Sequence, residues 1–571
     1  MSVASFPGLD RAATSHGSRF EAWAQWFIQP AVLIRFVLYA TALLYLRTVL
    51  FDYVYDDTTL ITLNPWMGSW KQLPNLLTHS FWGFLEIPRA LDFYRPLVSL
   101  VFALILRLLG PAPGWFHLVA AGLHVCVTYL VYRLASETIG DPTVAAIAAG
   151  IFGLHPTRVE TGAWISGISD SLSVVFLLSS MIAYFEWKRK GEGDRRHLAV
   201  SAFLLLLALF SKEAAIFAPI LIAIYEFSAC RSRFRDRLVT ALGAVWPFLA
   251  VVAFALATRF ALVRNPVAHG LSEIPVRYTI FTAPRAILWY AGKQIWPGQL
   301  SVEYPVMLVR GFSFGQFVLP LLVLSVLCIA GFWAVRKAPA GLFFASWFLL
   351  MLAPPILYLV TLQEHDRYSY LPSVASSIGL GYLLGYLRRL GAEVQATVLL
   401  TLLAVMTGLT FTYESYWDND TKLFTHAVEI APDNPKAEEY LASELVGLGQ
   451  PEKAEAIAQR IISDPNQSAE GWYILGDVWL SQNRYQDAHE AFRNSLELSQ
   501  GEKKMLWSMD LASTDLKLGR YEEAAQIYRD QIRKHPDLAF LHHELADTLK
   551  VMGKSEEAAK ELELQRHFER E

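Results

Sequence analysis

Two carboxylates, Asp56 and Asp57, follow directly on the first long apolar run, residues 31–51, where a membrane helix would emerge into water. Ionisable groups beside hydrocarbon are costly to keep, so an acid pair there reads first as a functional site. A carboxylate at a cavity mouth can take a proton from a hydroxyl, and a fixed cation facing it can stabilise developing negative charge. Further along, Lys212-Glu213 interrupts an apolar stretch, His155-Pro156 closes a short one with Glu160 just behind, Asp170 opens the next, and Glu364 and Arg367 lie between two more. Each has an ordinary alternative. The acid pair could be a solvated turn, Arg367 an interface anchor beside Tyr368 and Tyr370, Lys212-Glu213 a neutralised ion pair, and His155-Pro156 a proline-stopped helix end. A divalent ion held by Asp56, Glu160 and Asp170 is not supported by ligand spacing, so no metal is expected.

These residues need a membrane scaffold to hold them. The 571-residue chain is 54% hydrophobic and 13% aromatic with a formal net charge of −4, and its mean hydropathy is +0.31. That is the profile of a membrane protein with a soluble part, not of a nucleic-acid binder or a disordered chain. Its three cysteines, Cys126, Cys230 and Cys328, each lie in or beside an apolar run and offer neither a disulfide framework nor a CxxC site. Residues 1–30 lack a signal-peptide core and are expected to be a cytoplasmic segment before an uncleaved first span.

About eleven apolar segments fill residues 31–415, at 31–51, 115–136, 142–154, 170–187, 197–211, 214–228, 238–262, 314–335, 340–361, 372–387 and 394–415. Two amphipathic stretches, 95–110 and 284–296, read as interfacial. The basic clusters at Lys188, Arg189, Lys190, Arg195 and Arg196, at Arg231 to Arg237, at Arg336-Lys337 and at Arg388-Arg389 all fit one threading with those clusters in the cytoplasm. It places 52–114, 155–169, 212–213, 263–313, 362–371 and everything after 415 outside. In it residues 198–227 cross twice and turn at Lys212-Glu213. Residues 198–211 make a helix of roughly 21 Å against a hydrocarbon core of roughly 30 Å, so the turn sits below the outer surface. Charged backbone at that depth needs protein or a water-filled cavity around it. The expectation is a polar cavity in the outer leaflet lined by the Asp56-Asp57, His155–Glu160, Asp170, Lys212-Glu213 and Glu364–Arg367 neighbourhoods.

After Trp417 the chain turns polar and helical. Leu441-Ala442, Leu475-Gly476, Leu511-Ala512 and Leu545-Ala546 recur with Gly449, Asn483, Gly519 and Gly553 and then Ala454, Ala488, Ala524 and Ala558, at spacings of 34, 36 and 34. This is the tetratricopeptide pattern: small residues let helix pairs stack, and the turn residue permits the reversal. About four repeats fill 416–571, with a less regular half-repeat from Trp417 to Pro435. Trp472 and Trp479 occupy packing positions.

The motifs Tyr55-Asp56-Asp57, Asn64-Pro65, Phe81-Trp82-Gly83 and Tyr94-Arg95-Pro96-Leu97, then His155-Pro156 with Glu160, Lys212-Glu213, Arg367-Tyr368 and Tyr370-Leu371-Pro372-Ser373, occur in order. Together with the repeats, this string resembles the transmembrane and tetratricopeptide-repeat protein O-mannosyltransferases and their bacterial relatives, and more widely the C-type membrane glycosyltransferases. One departure is Ile168, where the family usually has an Arg two residues before its Asp, here Asp170. The 263–313 region matches only loosely.

The resemblance implies an all-α fold, a polytopic C-type glycosyltransferase domain of about eleven spans followed by a tetratricopeptide α-solenoid. It implies inverting transfer of a hexose, mannose by likeness, from a polyprenyl-phosphate donor to Ser or Thr hydroxyls of exported proteins. Asp56 would be the base by its match to the family's first-loop acid, with Asp57 orienting the acceptor or serving in its place. Arg367 and Lys212 would hold the donor phosphate. His155, Glu160, Asp170, Glu213, Glu364, Arg95 and Tyr94 would line the substrate cavity. Trp66, Trp70, Phe81 and Trp82 read as interfacial aromatics, with sugar stacking as the second reading. No cofactor is expected. The solenoid would hold an extended acceptor segment on its concave face, or join other envelope proteins. The compact length favours a bacterial inner membrane, with the repeats outside the cytoplasm, over the endoplasmic reticulum. Two other classes are a non-catalytic anchored scaffold and a lipid-linked sugar transporter, the latter lacking the paired broken helices that would support it.

Overall fold

The computed structural model describes residues 16–85, 93–191, 195–263, 276–305, 308–336, 338–358, 364–464, 468–499, 503–536 and 538–568. The readings for 1–15, for 86–92 of the first loop, for 264–275, for Lys337 and for 359–363 lie outside them. Among the described residues every secondary-structure element is helical, as apolar runs of this length and period require.

Seven helices among the described residues are long and apolar enough to cross a membrane: Pro30–Leu50, Pro113–Ile139, Ile165–Arg189, Phe234–Leu262, Phe314–Val335, Pro339–Ile356 and Ala392–Asp418. The protein is a multi-pass membrane protein. The other four apolar segments are helices too, Pro142–Leu154, Arg195–Ser211, Ala218–Ala229 and Ser373–Gly385, of 13, 17, 12 and 13 residues. Each is shorter than the roughly 20 residues that span hydrocarbon. The eleven expected spans thus divide into seven full-length helices and four short ones.

The hub is Pro142–Leu154, in which every residue from Val144 onward is buried. Its Ala and Gly content explains this. A Cβ on Gly153 would lie 2.7 Å from the Thr41 hydroxyl and 2.8 Å from the Thr128 methyl, so the missing side chain lets two long helices close on it.

Charges sort to the two ends of the bundle. Ile168–Arg189 begins beside Asp170 and ends on Lys188-Arg189, about 30 Å away at 1.5 Å per residue. Arg195–Ser211 then runs back to Lys212. At the basic end Lys188 meets Glu226 at 3.1 Å, Arg189 meets Glu137 at 2.8 Å and Arg388 meets Asp141 at 2.7 Å. Helix ends from across the chain are interlocked there, opposite the acids of the first loop.

Beyond Pro435 eight helices form four antiparallel pairs, Pro435–Gly447 with Pro451–Ile462, Ser468–Ser481 with Tyr485–Leu498, Lys503–Lys517 with Tyr521–Lys534, and Ala539–Val551 with Ser555–Phe568. The reversals within the pairs fall on Gly449, Asn483, Gly519 and Gly553 at φ of 69°, 60°, 74° and 78°, the left-handed region where glycine and asparagine are least strained. Ala454, Ala488, Ala524 and Ala558 are buried between stacked helices. Trp472 and Trp479 pack half-buried against the repeat core.

A single helix, Asp420–Ile430, joins the solenoid to the last membrane helix. The joint is a shared core. Phe51, Val54 and Trp164 of the membrane part pack in one cluster with Trp417, Phe424 and Leu441, so the solenoid is seated on the first loop.

Candidate active site

A cavity of about 330 Å³ opens where the acidic end of the bundle meets the first repeat. Its wall is assembled from six parts of the chain. The first loop supplies Asp56, Phe81, Trp82 and Arg95; the start of Ile168–Arg189 supplies Asp170; and the break between two short helices supplies Lys212 and Glu213. Met351, Pro354 and Pro355 form an apolar side, His365, Arg367 and Tyr368 come from the next turn, and Lys436 and Tyr440 come from the first repeat helix.

The two acids of the first loop take different positions. Asp57 is fully buried. Its Oδ1 accepts from the Ser166 backbone N–H at 2.9 Å and the Ser166 hydroxyl at 2.5 Å, and its Oδ2 accepts from the Val54 N–H at 3.3 Å. Burial pushes its carboxyl up to about 8, against the opposing pull of those bonds. Asp57 therefore pins the loop to the 164–168 turn. Asp56 is half-buried and faces the cavity. The residue before it, Tyr55, has φ of 60°, a strained backbone for a bulky side chain.

Four cations reach the wall, and each is held by a carboxylate. Arg95 grips Glu213 through two bonds, Nη2 to Oε1 at 2.8 Å and Nε to Oε2 at 3.3 Å. Lys212 donates to both oxygens of Asp170, at 2.6 and 2.7 Å. The neighbours Lys212 and Glu213 thus pair with other residues, not with each other as one reading of the sequence had it. The break that separates them has a simple cause: Lys212 is extended, at φ −159° and ψ 139°, and aims one side chain each way.

Arg367 binds Glu160 through Nη1, while its own backbone N–H donates to the other oxygen at 2.9 Å. Its guanidinium lies 5.0 Å over Trp164 and 5.2 Å over Tyr368. Lys436 reaches Glu303 at 3.3 Å. Burial pushes the carboxyls of Glu160 and Glu303 up while Arg367 and Lys436 respectively pull them down. Such bonds orient the cations and leave their outer edges toward the cavity.

Five residues expected around the substrate stand behind the wall or beside it. Asp57 and Glu160 are buried supports. His155 bonds Thr157 at 2.9 Å and the Gln294 carbonyl at 3.2 Å, and burial holds its imidazole well below its usual range, hence neutral. It caps the turn after the hub helix, accepting from the Thr157 N–H. Tyr94 donates to the Leu77 carbonyl at 2.8 Å and packs on Phe210. Glu364 is buried, its carboxyl pushed up to about 7 by burial. The expected lining at Asp56, Asp170, Glu213, Arg95, Lys212 and Arg367 is brought together.

His365, Trp164, Lys436, Tyr440 and Glu303 were not singled out from sequence. His365 stands within the Glu364–Arg367 run and could have been taken with it. Its Nδ1 meets the Val302 carbonyl at 2.8 Å, and burial keeps the ring neutral. Behind it Asp366 accepts from Tyr304 at 2.8 Å and Tyr413 at 3.3 Å, its carboxyl raised to about 7 by burial. Lys436 and Tyr440 carry no local signal, because they are ordinary first-repeat residues until the solenoid docks. Among the described residues no three His, Cys, Asp or Glu side chains converge as a metal-ligand set.

The tetratricopeptide repeat family matches residues 441–503 and 482–539. The chain is similar to the protein O-mannosyl-transferase Tmtc1 of Drosophila melanogaster, 29% identical over 46% of this chain and 33% of that protein. The protein O-mannosyl-transferase F38B6.6 of Caenorhabditis elegans is 24% identical over 71% of this chain and 58% of that protein. The human protein O-mannosyl-transferase TMTC1 is 32% identical over 30% of this chain and 20% of that protein. The matched regions thus span from a fifth to under two thirds of these relatives' lengths. Protein O-mannosyl transfer is a glycosyltransferase activity, and the expected likeness to that family is borne out together with the helical fold and the repeats.

Proposed function

We propose that this chain is a membrane glycosyltransferase that moves a hexose, mannose by likeness to its relatives, from a polyprenyl-phosphate donor to Ser or Thr hydroxyls of exported proteins, with inversion. The observation that carries the reading is the cavity itself. It brings Asp56 into one cavity with the cations Arg367, Lys212 and Arg95, and gives that cavity an apolar side at Met351, Pro354 and Pro355 for the lipid.

In this reading Asp56 takes the hydroxyl proton as the acceptor oxygen bonds the anomeric carbon. The bond from that carbon to the lipid phosphate breaks, and its electron pair leaves on the phosphate. Arg367 and Lys212 face that growing charge already oriented by Glu160 and Asp170, so little reorganisation is required as it forms. Phe81 and Trp82 offer ring faces to the sugar. Two further parts of the reading concern place and partner: the cavity and solenoid lie outside the cytoplasm of a bacterial inner membrane, and the solenoid holds an extended acceptor segment. No cofactor beyond the donor is invoked.

The test is transfer in vitro by the full chain in nanodiscs, with labelled polyprenyl-phosphate mannose or glucose and Ser/Thr peptides, alongside glycopeptide mass spectrometry of a deletion strain. Labelled peptide from one donor and loss of the same modification in the strain are expected. Donor binding without transfer to any peptide, and an unchanged glycopeptide profile, would overturn the assignment.

A further inference from the structure

The first loop is not held by the membrane domain alone. Tyr55 sits at φ of 60°, a conformation that a bulky L residue adopts only when its surroundings over-determine it. Its backbone N–H, turned away from any regular helix by that angle, donates to Asp420 Oδ1 at 2.7 Å. Three residues earlier the Asp52 N–H donates to the Asp418 carbonyl at 3.0 Å. The Tyr55 ring is then boxed by Phe424 at 6.0 Å, Tyr440 at 5.3 Å and Trp164 at 5.6 Å. Two of those rings and the Asp420 carboxylate belong to the linker and the first repeat helices, while Asp418 closes the last membrane helix.

From this we infer that Asp420 is a positioning residue: by accepting the Tyr55 N–H it fixes the left-handed turn that aims Asp56 into the cavity, so the solenoid sets the reactivity of the membrane site. Without an acceptor at 420, a part-buried N–H loses its partner, and residue 55 no longer has that bond to hold it from relaxing to the ordinary negative φ. That relaxation rotates the next peptide and carries Asp56 off its line. Asp57 closes the same turn from within, through the Val54 N–H and Ser166 and its own N–H to the Val54 carbonyl at 3.1 Å, whereas Asp420 is the acceptor that holds the Tyr55 N–H from outside the turn. The linker helix therefore does more than anchor the repeats. Movement of the first repeat on engaging a protein segment would reach Asp56 through Tyr55 and Tyr440.

This inference rests on Asp56 as the proton acceptor, and the experiment separates the two. Wild type, Asp420→Ala, Asp420→Asn and Asp56→Asn are compared as full chains in nanodiscs. Hydrogen exchange is read over residues 52–57, and transfer kinetics are read beside it. Asp420→Ala should speed exchange of the Tyr55 amide and lower kcat roughly 10- to 100-fold, the scale of an ångström-sized misplacement, with donor KM within about two-fold of wild type. Asp420→Asn keeps an oxygen for the same N–H and should restore both readouts. Exchange and kcat in Asp420→Ala equal to wild type would overturn the inference, as would equal loss in Ala and Asn variants. Full turnover in Asp56→Asn would instead remove the base assignment, and the exchange arm would still decide the role of Asp420.

Discussion

Replacing the two adjacent acids one at a time separates chemistry from architecture. Asp56→Asn is isosteric, half-exposed to the cavity and keeps one carbonyl oxygen in place, so the variant should fold. Loss of a general base typically costs about 10²- to 10⁴-fold in rate, or roughly 3–5 kcal/mol of barrier at about 1.4 kcal/mol per decade. Asp57→Ala does the reverse. It leaves the Ser166 N–H and hydroxyl, both supplied at 2.9 Å or less, without their acceptor in a buried turn, at about 1–3 kcal/mol each. The expected loss of about 2–6 kcal/mol is a large part of a typical folding margin. Asp57→Asn keeps a carbonyl oxygen for both Ser166 donors, gives up only the longer Val54 bond and should transfer at near the native rate. The assay is initial-rate transfer from the labelled donor, paired with the melting temperature of each variant in the same detergent. Asp56→Asn at native turnover, or Asp57→Asn inert at a native melting temperature, would refute the division of roles.

The Lys212–Asp170 pair offers a second check on phosphate recognition. Lys212→Gln alone strands the nearly buried Asp170 and confounds binding with stability, so the informative variant is Lys212→Gln with Asp170→Asn. It should fold yet bind donor roughly 10- to 150-fold more weakly, the equivalent of a charge-assisted bond of about 1.5–3 kcal/mol, as read by donor titration. Unchanged affinity would reduce Lys212 to a support. The pH dependence of stability is a third. Asp57 is raised to about 8, and Glu364 and Asp366 to about 7. A folded carboxyl that holds its proton more tightly than the unfolded one adds stability at low pH, and that contribution is lost as pH rises from the ordinary carboxylate range through the folded value. Melting temperature should therefore fall from pH 5 to pH 8.5, and Glu364→Gln with Asp366→Asn should flatten the fall.

Much of the architecture is local and so was readable in the chain. The repeats declare themselves because each pair makes the same reversal, and only glycine or asparagine takes φ near 70° cheaply at Gly449, Asn483, Gly519 and Gly553. The broken helix at Lys212-Glu213 was legible for a similar reason, since two charges inside an apolar run must leave hydrocarbon somewhere. The pairing of charges was not. Lys212 with Asp170 and Arg95 with Glu213 join residues 42 and 118 positions apart, and complementary charge in a sequence does not say which partner is reached.

The same limit divides the first loop. Composition and hydropathy determined by themselves that an acid pair stands at the end of a membrane helix, that the bundle carries its basic residues at one end, and that a solenoid follows. Tertiary structure alone decided that Asp56 faces the cavity while Asp57 is sealed behind it, and that Lys436 and Tyr440 of the soluble part complete the wall. The reason is physical: periodicity and solvation cost act along the chain, whereas the direction of a side chain at a non-helical turn is set by which distant groups accept the hydrogen bonds of its backbone.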